Sequence, residues 1–154
     1  MEISRIEHGD PEAAEELCRL LVRSYAVEAE LIGAVDFPPL RRSAVDIRTA
    51  ESTFYGAVDG GRLIAAAELE HGDGSSAHIA SFVVDPDVFR RGIGSRLLAG
   101  VLALPGIGRL TVSTAALNQP AVALYAKHGF SVSRRWATPC GIEMVTLELS
   151  GSGR

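Results

Sequence analysis

The segment Val83–Gly100 reads VVDPDVFRRGIGSRLLAG, and its reading decides the fold. Two apolar residues run into an Asp-Pro turn, a doubly basic loop broken by Gly92 and Gly94 follows, and an apolar-periodic run comes next. That order is strand, loop, helix. Such a loop exposes the first backbone N–H groups of the helix, which have no partner inside it. With the helix dipole and glycines that allow close backbone approach, it makes a cradle for a phosphate or pyrophosphate. Arg90 and Arg91 add positive field, Arg96 supplies a third cation within seven residues, and Ser95 could donate a further hydrogen bond. The plainer alternative is a helix entry whose glycines only make the turn, and a lone G-x-G does not separate the two. Both familiar nucleotide loops fail on residues. A Walker A loop needs a lysine after its last glycine, and a dinucleotide fingerprint needs glycine or alanine where this chain has Leu97.

The rest of the chain narrows the setting. Its 154 residues fit one domain, taken as 1–149, with the terminal SGSGR (150–154) read as an unstructured tail. A hydrophobic fraction of 47% is enough for a core without disulfides or metals, and no metal site is expected. A net charge of −4 argues against a nucleic-acid partner. No apolar run approaches the roughly 18 residues of a membrane span, and MEISRIEHGD lacks the pattern of a signal peptide. A cytoplasmic protein with no membrane partner is expected. Cys18 and Cys140 lie far apart in no ligand spacing; each reads as a free thiol, Cys18 beside the apolar face of a helix.

Working outward, EISRIEHG reads as a strand. DPEAAEELCRLLVRSYAVEAELIG reads as a helix with Asp10 as N-cap, Pro11 at its first position, and Leu17, Leu20, Leu21 and Ser24 in helical spacing. DFPPLRRSAVDIRTAES suggests a second, shorter helix. TFYGAVDGGRLIAAAELE is a hairpin turning at Asp59-Gly60-Gly61, and AHIASFVVDP is a strand stopped by Pro86. GRLTVSTAAL alternates as a strand, and NQPAVALYAKHGF is a helix with Asn118 as N-cap and Gly129 as terminator. FSVSRRW and IEMVTLEL are strands around ATPCG. The order β, α, α, β, β, β, α, β, α, β, β predicts an α/β (α+β) protein with a mixed sheet covered by helices.

VVDPDVFRRGIGSRLL, followed by a strand and then NQPAVALYAKHGF, resembles the GNAT superfamily of acyl-CoA-dependent N-acetyltransferases. The first segment is similar to the superfamily's [Q/R]-x-x-G-x-[G/A] cofactor motif. The second is similar to its Asn…Ala…Leu-Tyr…Gly-Phe helix, here Asn118, Ala121, Leu124-Tyr125 and Gly129-Phe130. The element order is also the superfamily's, so the resemblance spans nearly the whole chain and implies a largely antiparallel central sheet flanked by helices. It further implies acetyl-CoA as co-substrate and direct transfer to a primary amine of a small molecule, peptide or protein, rather than through an acyl intermediate on Cys140.

Residue by residue, the resemblance implies that backbone groups of Phe82 and Val84 meet the pantetheine arm. Backbone N–H groups from Arg90 through Ser95, including Arg91, Gly92 and Gly94, would hold the pyrophosphate. Asn118 would bond near the pantetheine or brace the splayed strand ends, and Tyr125 would protonate the leaving thiolate. His78 falls where histone-type members carry a glutamate base and is the base candidate, with Glu68, Glu70 and His71 as further options. The usual Gln or Arg of the first motif is Phe89 here, and Arg90 could take over part of its role. A non-catalytic acyl-CoA-binding domain is the alternative, and a small interaction domain with purely structural glycines is a third reading. The acceptor stays open. Glu28, Glu30 and Asp36 would suit a cation, Arg41 and Arg42 a carboxylate. The oligomeric state is open too, a homodimer included.

Overall fold

Asp10 opens the first helix, α1 (Pro11–Ile32): its carboxylate accepts a hydrogen bond from the Ala13 N–H at 3.1 Å, and Pro11 stands where an N–H would have no intrahelical partner. Gly33, at φ 70°, closes it in the left-handed conformation that glycine adopts without strain. The structure is a computed structural model and describes residues 1–35 and 37–150. Asp36 and four of the five residues of the expected tail therefore lie outside the described residues. Ser150 itself belongs to the last strand and pairs with Arg109, one residue beyond the expected boundary. The second helix divides in two. Pro38–Arg41 makes a single 3-10 turn, since prolines 38 and 39 cannot donate to a longer helix, and α2 (Ala44–Arg48) starts afresh from a Ser43/Asp46 capping box.

Among the described residues seven strands follow the expected order: β1 (Glu2–Ile6), β2 (Thr53–Asp59), β3 (Arg62–His71), β4 (Ser76–Val84), β5 (Arg109–Ala115), β6 (Ser131–Ala137) and β7 (Glu143–Ser150). They form one sheet in the order β1-β2-β3-β4-β5-β7-β6, antiparallel except where β4 meets β5. Parallel neighbours need a crossover, and α3 (Ile93–Leu102) supplies it. The last helix, α4 (Gln119–Lys127), joins β5 to β6. One face of the sheet packs Leu17, Leu20 and Leu21 of α1 and Ile47 of α2 against Phe54 and Val83. The other packs Leu97, Leu98 and Val101 of α3 and Tyr125 of α4 against Ile79, Val112 and Leu147. Cys18 borders the first cluster, as expected of a core thiol. Among the described residues no helix is long and apolar enough to cross a membrane.

Two irregularities in β4 place the site. Glu68 pairs with Ser81 but Leu69 with Ile79, so Ala80 is an extra residue, a bulge that bends the strand. The parallel ladder to β5 runs from Ser76↔Arg109 only to Ile79↔Val112. Beyond that point β4 continues to Val84 and β5 to Ala115 without pairing with each other, and the sheet opens into a gap.

Candidate active site

Asp85 donates its N–H to the Ile64 carbonyl at 2.8 Å, toward β3. Residues facing each other in an antiparallel pair alternate between bonded and non-bonded positions. Val83 and Ser81 therefore also use β3, while Phe82 and Val84, in the intervening positions, turn their N–H and C=O groups to the other side. That side is the gap, where no strand among the described residues meets them. The two residues singled out from sequence are thus the ones with ladder groups to spare.

At the open end of the gap stands the start of α3. Its first intrahelical bond runs from Arg96 N–H to Gly92 O, at 3.1 Å, which leaves the N–H groups of Ile93, Gly94 and Ser95 without helical partners. Gly92, the N-cap, has φ 75° and no side-chain cap. Arg90 is the only non-glycine among the described residues at positive φ, 66°, and alternation of this kind gathers backbone N–H groups into an anion-binding concavity. A Cβ on Gly94 would make ordinary contacts of 3.5–3.8 Å with Leu124, Val84 and Phe82, so packing does not demand glycine there. Arg90, Arg91 and Arg96 have no carboxylate within ion-pairing distance among the described residues. Ser95 differs from expectation. Its hydroxyl lies 3.2 Å from His128 Nε2, and His128 Nδ1 lies 3.0 Å from the Leu124 carbonyl. The carbonyl can only accept, so Nδ1 carries the proton and Nε2 accepts from Ser95. The Ser95 hydroxyl is thus engaged within the protein, while its backbone N–H has no helical partner.

Tyr125 rises from α4 on the far side of the sheet, 3% exposed, with its ring 5.9 Å from Phe82 and 5.5 Å from Phe130. Burial pushes its phenol well above the usual tyrosine range, and the proximity of Tyr25 and of the Glu28 carboxylate adds to the rise. Those two belong to α1, on the opposite face, so the phenol lies near enough to the gap for their charges to be felt. Asn118 sits at the same mouth. Its Oδ1 caps α4 by accepting from Ala121 N–H at 3.3 Å, and its Nδ2 donates to Glu28 at 2.7 Å, bracing α4 to α1. Burial raises the Glu28 carboxyl and the Asn118 bond only partly offsets it.

His78 lies one residue before the ladder ends, on the α1 side of the sheet, with Nδ1 2.8 Å from the Thr111 hydroxyl. Burial holds its pKa below the usual value, opposed by the Glu70 charge across the strand pair, so it is neutral at pH 7. His78, Glu70, His71, Arg109 and Thr111 line an open pocket of about 240 Å³ beside the closed part of the ladder. Glu68 is placed otherwise than a base requires. It accepts from Arg42 at 2.6 and 2.8 Å, from Ser52 at 2.5 Å and from Ser81 at 2.8 Å. Burial pushes its carboxyl up, but the Arg42, Ser52 and Ser81 bonds outweigh that and hold it low. Arg42 likewise meets a carboxylate of this chain and is not free for one on a substrate. Cys140 is exposed, with Thr138 at 3.2 Å.

Tyr25 escaped the sequence reading, although it stands four residues after Leu21 on the same helical face. Burial pushes its phenol up to about 12, against a hydrogen bond with Ser81, and it packs edge-on against Phe37 at 5.9 Å.

The site is thus a gap opened between the two parallel neighbours of a mixed α/β fold, with a helix N-terminus at its open end and a buried tyrosine against Phe82 beside it. A sequence model described as the acetyltransferase (GNAT) family matches residues 14–130, and the chain belongs to that family. The protein YqkA of Bacillus subtilis (strain 168), described as a UPF0157 protein, is 33% identical over 132 residues, covering 83% of this chain and 37% of that one. The chain therefore spans little more than a third of that relative. Among solved structures, the ribosomal-protein-S18-alanine N-acetyltransferase of Escherichia coli superposes with a TM-score of 0.76 at 22% identity, over 99% of this chain and 95% of its own. The PaiA N-acetyltransferase of Thermoplasma acidophilum, in complex with coenzyme A, gives 0.74 at 18% identity, over 95% and 98%. At these identities the likeness is one of fold.

Proposed function

We propose that this chain transfers the acetyl group of acetyl-CoA directly to a primary amine of a small molecule, peptide or protein. The carrying observation is the gap between β4 and β5. Unpaired backbone groups of Phe82 and Val84 line it from the α3 N-terminus inward to Tyr125. An extended arm with a pyrophosphate at one end and a thioester at the other matches that sequence of groups. Several family structures, PaiA among them, hold coenzyme A or acetyl-CoA.

Acetyl-CoA brings an activated acyl carbon and a thiolate leaving group. The chain's own residues have four tasks. The N–H groups of Ile93, Gly94 and Ser95, with Arg90 and Arg91 nearby, hold the phosphates; Phe89, 43% exposed, offers no charge, and Arg90 stands in its place. Phe82 and Val84 hold the arm strand-fashion, fixing the acyl carbon beside the attacking nitrogen, and orientation of this kind contributes about 7 kcal/mol or more. Tyr125 supplies a hydrogen bond to the sulfur. Its raised pKa keeps the proton in place at all working pH, so its contribution is donation to the developing thiolate. Complete transfer would run uphill, toward an alkyl thiol near 8.5. His78, neutral and one residue from the opening, takes the proton from the amine. Acetyl-CoA consumption with a panel of small amines and N-terminal peptides tests the assignment. Transfer to an amine that is lost with CoA binding intact in Tyr125→Phe supports it. Tight CoA binding with no transfer to any amine would favour a binding module.

A further inference from the structure

Resting on that cofactor reading, we propose that Asp85 is the positioning residue of the cradle. Its carboxylate, clasped by Arg23 and Arg62, fixes where β4 ends and how the loop enters α3. Asp85 is 3% exposed and commits every polar group it has. Its N–H donates to Ile64 O at 2.8 Å and its carbonyl accepts from Val88 N–H at 3.0 Å. Oδ1 accepts from the Asp87 N–H and from Arg23, each at 2.9 Å, and Oδ2 accepts from Arg62. Arg23 comes from the middle of α1 and Arg62 from the start of β3, so one side chain ties two remote elements to the turn that leads to Arg90.

The clasp also settles a charge problem. Asp85 and Asp87 place two carboxylates just ahead of a loop meant for an anion. Arg23 and Arg62 reach Asp87 as well, at 3.1 and 3.6 Å, so two guanidiniums balance two carboxylates. The phosphates then meet the field of Arg90 and Arg91 without that opposition. The left-handed Arg90 fits the same view, since a non-glycine at φ 66° persists where its surroundings over-determine it. The loop is anchored by the clasp on one side and by α3 on the other.

A purely architectural clasp would affect stability alone; a positioning one alters the loop. Asp85→Asn keeps an oxygen for the Asp87 N–H and removes the charge, and Arg62→Gln removes one arm from a half-exposed position. Calorimetric titration with CoA is run beside trypsin cleavage after Arg90 and Arg91, with circular dichroism and thermal unfolding of each variant. The expected result is CoA binding weaker by about tenfold in Asp85→Asn and by a smaller factor in Arg62→Gln. Cleavage at the loop is several-fold faster in both and is suppressed by CoA in the wild type. Binding within twofold of wild type in both variants, with no faster cleavage, overturns the proposal. Should Asp85→Asn fail to fold, Arg62→Gln decides by the same criteria. Failure of the wild type to bind CoA would instead remove the cofactor reading, and the cleavage rates would still report whether the clasp orders the loop.

Discussion

Tyr125 and His78 occupy opposite faces of the sheet near the point where β4 and β5 part, and their environments push them in complementary directions. The phenol stays protonated and can donate; the imidazole stays neutral and can accept. Tyr125→Phe keeps the ring against Phe82 and Phe130 and removes only the donor. We expect acetyl transfer to fall on the order of 10²-fold in single-turnover assays, with CoA affinity unchanged. Loss of CoA affinity instead would make Tyr125 a packing residue of the cofactor site. For His78 the pKa lies below 6.5, so the rate should rise with pH through an ionisation below that value. A His78→Gln variant should be slower and lack that acid limb; a limb that survives the substitution belongs to another group. The proposed roles could be carried from sequence by motif, but the environments behind them could not. Burial of Tyr125 and the Glu70–His78 pairing arise from contacts across strands, which no local pattern contains.

At the scale of elements, Asn118 joins two helices that are far apart in sequence. Replacing it by alanine removes the α4 cap, costing about 1 kcal/mol, and strips the half-buried Glu28 of its donor. Glu28 titrates above its unfolded value, so it favours folding at low pH and loses that contribution as pH rises through its folded pKa. Without Asn118 the folded pKa rises further. Urea unfolding should therefore show an Asn118→Ala deficit that grows between pH 4 and pH 7; a constant deficit would reduce Asn118 to a simple cap. The elements themselves were legible. Asp10, Pro11, the Asp59-Gly60-Gly61 turn and Gly129 all carry local chemistry that starts or stops a helix or strand, and the order read from them is the order observed. What was not legible is how the elements meet. The Ala80 bulge, the early end of the β4–β5 ladder and the split around Pro38 depend on partners, as does the capture of Glu68 by Arg42.

Across the whole molecule, two anionic knots pin α1, with the segment that follows it, to the sheet: Glu68 with Arg42, and Asp85 with Arg23 and Arg62. Arg42→Met would leave Glu68 buried without its cation, and we expect about 3–5 kcal/mol of destabilisation in chemical unfolding; a loss under 1 kcal/mol would mean that Ser52 and Ser81 suffice. Both carboxyls titrate below their usual values of 4.5 and 3.8, because their partners outweigh burial. The stability they add is present above those values and disappears as pH falls through the folded ones, so acid should unfold the protein below about pH 4. Above this frame stands the central claim, that the gap and the α3 N-terminus form a seat for acetyl-CoA. Calorimetric titration of acetyl-CoA into the wild type and into Gly92→Trp tests it most directly. The variant puts a bulky residue at φ 75°, where no other atom lies within 4 Å of the added Cβ but the backbone conformation strains any L side chain, so its thermal unfolding is recorded beside the titration. Binding near the micromolar range in the wild type and none in the variant is the predicted result. No heat and no thermal stabilisation of the wild type by acetyl-CoA or CoA would contradict it.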